Sequence, residues 1–137
     1  MSLVLDASIA LAWAYNNENT SGTRLVFEKV LAEGAWVPGL WRLEVANVLE
    51  MGVRRARTDA AFRDATLADL LSLPISIDTE TNVHAWTETL DLAERHRLTL
   101  YDAAYLELAI RRALPLATLD AELISAARTE KIDVLNT

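Results

Sequence analysis

Four carboxylates stand where a lone acid is awkward. In "LTLYDAAYLELA" (98–109), helical winding at about 100° per residue puts Leu106, Ala109 and Ala113 within roughly 40° of Asp102. Asp102 therefore faces the apolar stripe, while Glu107 and Arg111 fall on the far side. Glu44 repeats the pattern more softly, with Leu40, Val48 and Met51 within roughly 40° of it and Asn47 one turn on. Asp6 ends the apolar run "SLVLD", and Asp120 follows "LPLATL". An inward carboxylate is costly to ionise unless it has a partner or a metal. Gathered at one place, four would repel, and some would stay protonated at neutral pH. A divalent cation removes that penalty, and an all-oxygen ligand set suits Mg²⁺ or Mn²⁺ rather than zinc.

These acids can meet only if the chain carries them to one edge. The apolar patterning predicts strands at 2–6, 35–38, 74–77, 114–119 and 132–136. Helices are expected at 8–16, 20–34, 39–58, 58–73, 79–97, 99–113 and 120–130. The 20–34 helix carries its apolar spacing through Leu25, Val26, Val30 and Leu31. Short apolar strands alternating with helices give an α/β fold, a central parallel sheet with helices on both faces. Ligands of such sheets sit beyond the carboxyl ends of the strands. Asp6 and Asp120 follow two strands, and Asp102 opens the helix leading into the Asp120 strand. All three therefore belong at one rim.

Each acid also has a structural alternative. Asp6 and Asp120 could cap the helices they precede. Asp102 could complete a capping box with Thr99, and Glu44 could pair with a buried arginine. Capping leaves unexplained why two acids point inward and two others end strands that should be adjacent.

The rest of the sequence narrows the class. Its 137 residues read as one domain over 1–137, with 52% hydrophobic and 24% charged residues. Cysteine is absent, which excludes disulfides and thiolate metal sites. His84 and His96 are too isolated to form a ligand set, and Trp13, Trp36, Trp41 and Trp86 read as core. The N-terminus lacks a signal-peptide pattern, and no uncharged run approaches membrane-spanning length, so a cytoplasmic protein is expected. A net charge of −7 argues against non-specific nucleic-acid binding. Arg54, Arg55 and Arg57, with Arg111 and Arg112, are either candidate phosphate contacts or helix-end charges in solvent.

"LVLDASIA", "LEVANVL", "LTLYDAAYLELA" and "LATLDAEL", in this order and spacing, resemble the PIN-domain signature, and most closely the VapC toxins of prokaryotic toxin–antitoxin pairs. The resemblance spans nearly the whole chain. It implies a PIN-like three-layer fold and Mg²⁺- or Mn²⁺-dependent endoribonuclease activity, with RNA cleaved by a metal-activated water. Asp6, Glu44, Asp102 and Asp120 correspond to the family's catalytic acids, with Asp6, Asp102 and Asp120 as metal ligands. Ser8, Asn47 and Thr118 fall at supporting positions. A VapB-like antitoxin and a homodimer are the implied partners. The chemistry would be in-line displacement at the scissile phosphate, with Glu44 binding a second metal or orienting the attacking water.

Haloacid-dehalogenase and receiver chemistries fit poorly. The first wants an acid where Ser8 stands, and both want a lysine near the later acids, whereas the only lysines are Lys29 and Lys131. A FEN-like nuclease needs a longer chain. The alternative from a different class is a catalytically silent PIN-like scaffold or partner-binding subunit, whose mark would be loss of an acid.

Overall fold

The computed structural model describes residues 1–15 and 17–135. Five strands form one sheet: β1 (Val4–Leu5), β2 (Ala35–Val37), β3 (Ile75–Ile77), β4 (Leu116–Ala117) and β5 (Val134–Leu135). The helices are α1 (Ala7–Ala14), α2 (Ser21–Glu33), α3 (Trp41–Arg54), α4 (Ala60–Leu71), α5 (Thr81–His84), α6 (Glu88–His96), α7 (Leu100–Arg112) and α8 (Ala121–Thr129). Every strand pairing is parallel, in the order β3-β2-β1-β4-β5. The chain has the α/β architecture that its patterning predicts, a central parallel sheet flanked by helices.

The topology fixes where a ligand belongs. From central β1 the chain moves outward to β2 and β3, then returns to the other side for β4 and β5. The connections diverge between β1 and β4, and such a switch point opens a crevice at the strands' carboxyl ends. The register pairs Val4 with Leu116 and Leu5 with Ala117. Asp6 and Thr118 are the next residues on each strand.

Burial explains both the strands and α7. Leu3, Val4 and Leu5 have no exposed surface, as a central strand covered on both faces requires. Helix α7 packs beside β1 and β4 and is buried from Ala103 to Ala109. Glu107, placed by helical winding on the far side of the stripe, is buried with the rest. A helix enclosed on nearly all sides has no solvent face to give its charges.

Several boundaries shift for local reasons. The helix expected over 79–97 is two, because residues 85–87 close in tight turns: the Ala85 N–H bonds to Asn82 and the Thr87 N–H to His84. Helix α3 stops at Arg54, where the Arg57 and Thr58 N–H groups both return to the Gly52 carbonyl and Ala56 turns left-handed (φ 56°). Gly34 ends α2 at φ 77°, and a Cβ there would lie 3.1 Å from the Pro74 carbonyl oxygen. The buried face of α2 is Thr23, Val26 and Val30, with Leu25 and Leu31 outward. Trp41 is buried and Trp13 and Trp36 pack against the core, but Trp86 is 88% exposed. The expected ends of the 8–16 helix at Asn16 and the 132–136 strand at Asn136 lie outside the described residues. Among those residues, no helix is long and apolar enough to cross a membrane.

Candidate functional site

Asp6 leaves β1 at the switch point and is 6% exposed. Its side chain does not cap α1, which begins at the next residue. Instead its Oδ2 accepts hydrogen bonds from Ser8 Oγ and Thr118 Oγ1, each at 2.7 Å. Those hydroxyls are tied to the neighbouring loop in turn: the Leu119 N–H donates to Ser8 Oγ at 3.0 Å and the Asp120 N–H to Thr118 Oγ1 at 3.1 Å. Ser8 and Thr118 therefore lock one oxygen of Asp6 and stitch the end of β1 to the loop after β4.

The remaining acids arrive from three helix starts. Asp102 is in the first turn of α7, where its own N–H donates to the Thr99 hydroxyl at 3.1 Å. The left-handed Arg97 (φ 54°) ends α6 and turns the chain so that Thr99 can make this cap. Glu44 is in the first turn of α3 and accepts a hydrogen bond at Oε1 from the hydroxyl of Tyr105 on α7. Asp120 does cap its helix, its Oδ1 accepting from the Glu122 N–H at 2.8 Å and the Leu123 N–H at 3.1 Å. Asn47 lies exposed on α3.

The electrostatics tie these acids together. Burial raises the Asp6 carboxyl above its ordinary value, against the hydroxyl donors that lower it, and the charge of Asp120 adds to the rise. Burial raises Glu44 as well, with Asp6 and Asp102 contributing in the same direction. Asp102 is raised by burial, then by Asp120 and Asp6. Among the described residues, no lysine, arginine or histidine forms an ion pair with any of the four. Mutually repelling carboxylates without a compensating cation have the donor chemistry for a hard divalent ion. The acids are coupled but not gathered: no three His, Asp or Glu among the described residues are grouped so as to hold a metal ion. Two hydroxyls occupy one oxygen of Asp6, and a helix end occupies one of Asp120.

A PIN-domain family model matches residues 3–129. The chain belongs to the PIN domain family. This PIN domain is similar in structure to PAE2754 from Pyrobaculum aerophilum, with 25% identity and a TM-score of 0.68 over 92% of this chain and 84% of that one. It also resembles VapBC2 from Rickettsia felis, solved bound to a DNA fragment from their promoter, with 13% identity and a TM-score of 0.66 over 98% of this chain and 97% of that one. That second likeness is one of fold. No curated protein matches the chain.

Two sequence-based assignments change in this PIN domain. Arg111 and Arg112 are not free for phosphate, because both are turned onto Asp78. Arg111 Nη2 reaches Asp78 Oδ2 at 2.7 Å, and Arg112 Nη2 reaches Oδ1 at 3.0 Å. Arg111 Nε also holds Glu107 at 2.7 Å, and the Arg112 guanidinium lies 3.5 Å from the Trp36 ring centroid. Arg54 pairs with Glu50 and Arg57 with Glu18, while Arg55 is exposed. Tyr105 went unnamed in the sequence reading. Its signal was there: it sits three residues after Asp102, a polar tip on the same buried face.

Proposed function

We propose that this chain is a Mg²⁺- or Mn²⁺-dependent endoribonuclease of the VapC kind, held in check by a VapB-like antitoxin. PIN domains are in general nucleases, commonly with divalent metals. The observation that carries the reading is the set of four mutually repelling acids at the switch point with no basic partner. Asp6, Asp102 and Asp120 are the residues that would hold a divalent cation, which would supply positive charge for a phosphodiester and acidify a bound water. Ser8 and Thr118 hold one oxygen of Asp6 and leave the second without a side-chain donor among the described residues. Glu44 would bind a second cation or orient the attacking water as the bond from phosphorus to the leaving 3′-oxygen breaks. No side chain forms a covalent bond to the RNA.

The reading takes residues 1–137 as one PIN domain at work in the cytoplasm. An apolar groove of about 610 Å³ between α1, α2 and α4, lined by Trp13, Phe27, Leu31 and Phe62, is the surface it offers an antitoxin. For a homodimer the favoured face is the one that joins the start of α3 to the start of α7. Leu43 (76% exposed) and Tyr101 (64%) line a cleft of about 620 Å³, and Trp86 projects one residue beyond its lining residue Ala85. A projecting indole beside a cleft is a self-complementary surface, as a two-fold interface needs.

The silent scaffold remains the second reading, favoured by the acids not being grouped as a ligand set. One experiment separates the two. Purified protein is incubated with structured RNA and Mn²⁺, with and without EDTA, beside Asp102→Asn. The nuclease reading expects EDTA-sensitive cutting that the variant lacks. An inert wild type, or a variant that cuts equally well, overturns it.

A further inference from the structure

We propose that Tyr105 is a positioning residue for Glu44, holding one of its oxygens so that the other faces the acid site. The inference rests on the cation-dependent reading above and goes beyond it in naming what sets the geometry of the fourth acid. Tyr105 has no exposed surface and projects from α7 one turn after Asp102. Its hydroxyl hydrogen goes to Glu44 Oε1, on a different helix. Helix α7 packs against β1, and from it Tyr105 reaches the first turn of α3. Helices α3 and α7 are not among the closely packed pairs of the fold. Among the described residues, Glu44 has no other side-chain hydrogen bond and no ion pair. Helix α3 places the residue beside α1, and the orientation of its carboxyl rests on this one bond.

The chemistry of the donor matters. A phenol gives a single hydrogen bond and carries no charge, so it fixes Oε1 without neutralising the carboxylate. An arginine in its place would orient Glu44 too, but would cancel the charge a cation needs. Oε2 accepts no hydrogen bond from a side chain among the described residues, and Asp6 and Asp102 both act on this carboxyl. Tyr105 touches no reacting atom. It acts through Glu44.

The test is Mn²⁺ binding to the purified chain by calorimetry, for wild type, Tyr105→Phe, Glu44→Gln and the double variant, with circular dichroism to check folding. Loss of a partner that orients a metal ligand lowers affinity on the order of 10–100-fold. Positioning predicts such a loss for Tyr105→Phe and no further loss when it is added to Glu44→Gln. Wild-type affinity in Tyr105→Phe, or losses that add in the double variant, overturns it. If Tyr105→Phe does not fold, wild-type and Glu44→Gln chains labelled with 3-fluorotyrosine decide by fluorine NMR. The Tyr105 resonance, assigned by substituting Tyr15 and Tyr101, is expected to shift with Mg²⁺ only when Glu44 is present. A resonance indifferent to Mg²⁺ in wild type, or equally responsive in Glu44→Gln, contradicts the role. A wild type that binds no Mn²⁺ and cuts no RNA overturns the cation-dependent reading, whereas a wild type that does both beside an unaffected Tyr105→Phe overturns the positioning role alone.

Discussion

Asp6 and Asp78 occupy the same place in their local structure and opposite electrostatic situations. Each follows the last residue of a parallel strand, Asp6 after β1 and Asp78 after β3, and each is nearly fully buried. Around Asp78 burial pushes the carboxyl up, but hydrogen bonds from Arg111 and Arg112 outweigh it and hold the group at about 2. Around Asp6 the donors are two neutral hydroxyls, burial wins, and the carboxyl is raised. The difference follows from sheet position. Edge strand β3 lies within reach of the arginines that end α7, whereas central β1 opens at the switch point among other acids. A compensated buried acid is a structural part, whereas acids that raise one another without a basic partner mark a candidate binding place.

The strongest way to break this comparison is to remove a charge on each side. Asp6→Asn is expected to abolish RNA cutting while circular dichroism shows the fold retained. Asp78→Asn is expected to leave Mn²⁺ affinity unchanged but to cost on the order of 3 kcal/mol in urea unfolding, because Arg112 loses its carboxylate. If Asp78→Asn lost metal binding with its stability intact, the division between the two regions would be wrong.

Acid titration sharpens the contrast. With Asp78 held at about 2 against an ordinary 3.8, its contribution is complete above 3.8 and is lost as pH falls toward 2. Asp6, Glu44 and Asp102 have the opposite sign. Their folded pKa values lie above the ordinary ones, so the folded chain holds these protons more tightly, and metal-free stability falls as pH rises through them. Unfolding free energies of wild type and Asp78→Asn from pH 2 to 7 should converge at the acid end; a constant gap would count against the ion-pair account. The smallest effect is expected from Asp102→Asn without metal, a rise of a few degrees in melting temperature as repulsion is relieved. A fall would mean that Asp102 is serving the helix more than the site.

Much of this arrangement could be read from residues alone. Asp6, Asp102 and Asp120 stand out by their places at strand ends and on an apolar helix face, and the sheet carries the ends of β1 and β4 side by side. Helical winding failed for Glu107 and Arg111, because it assumes that charges seek solvent and α7 has almost none around it. Asp78, the partner of Arg111 and Arg112, lies 33 residues from Arg111 in the chain, and only the tertiary packing pairs them. The break at 85–87 carries no glycine or proline to announce it. Trp86 was taken for core because bulk in a sequence does not say which way a turn will present it.

The central claim is that the acids at 6, 44, 102 and 120 form an uncompensated charge that a divalent cation relieves. Thermal unfolding of the purified chain with increasing Mg²⁺ tests it most directly, since binding to the folded state adds about 2.7 kcal/mol at a hundredfold excess over the dissociation constant. The account predicts a melting temperature that climbs with Mg²⁺ in wild type and stays flat in Asp102→Asn. A flat wild-type curve, or an equal climb in both, would contradict it.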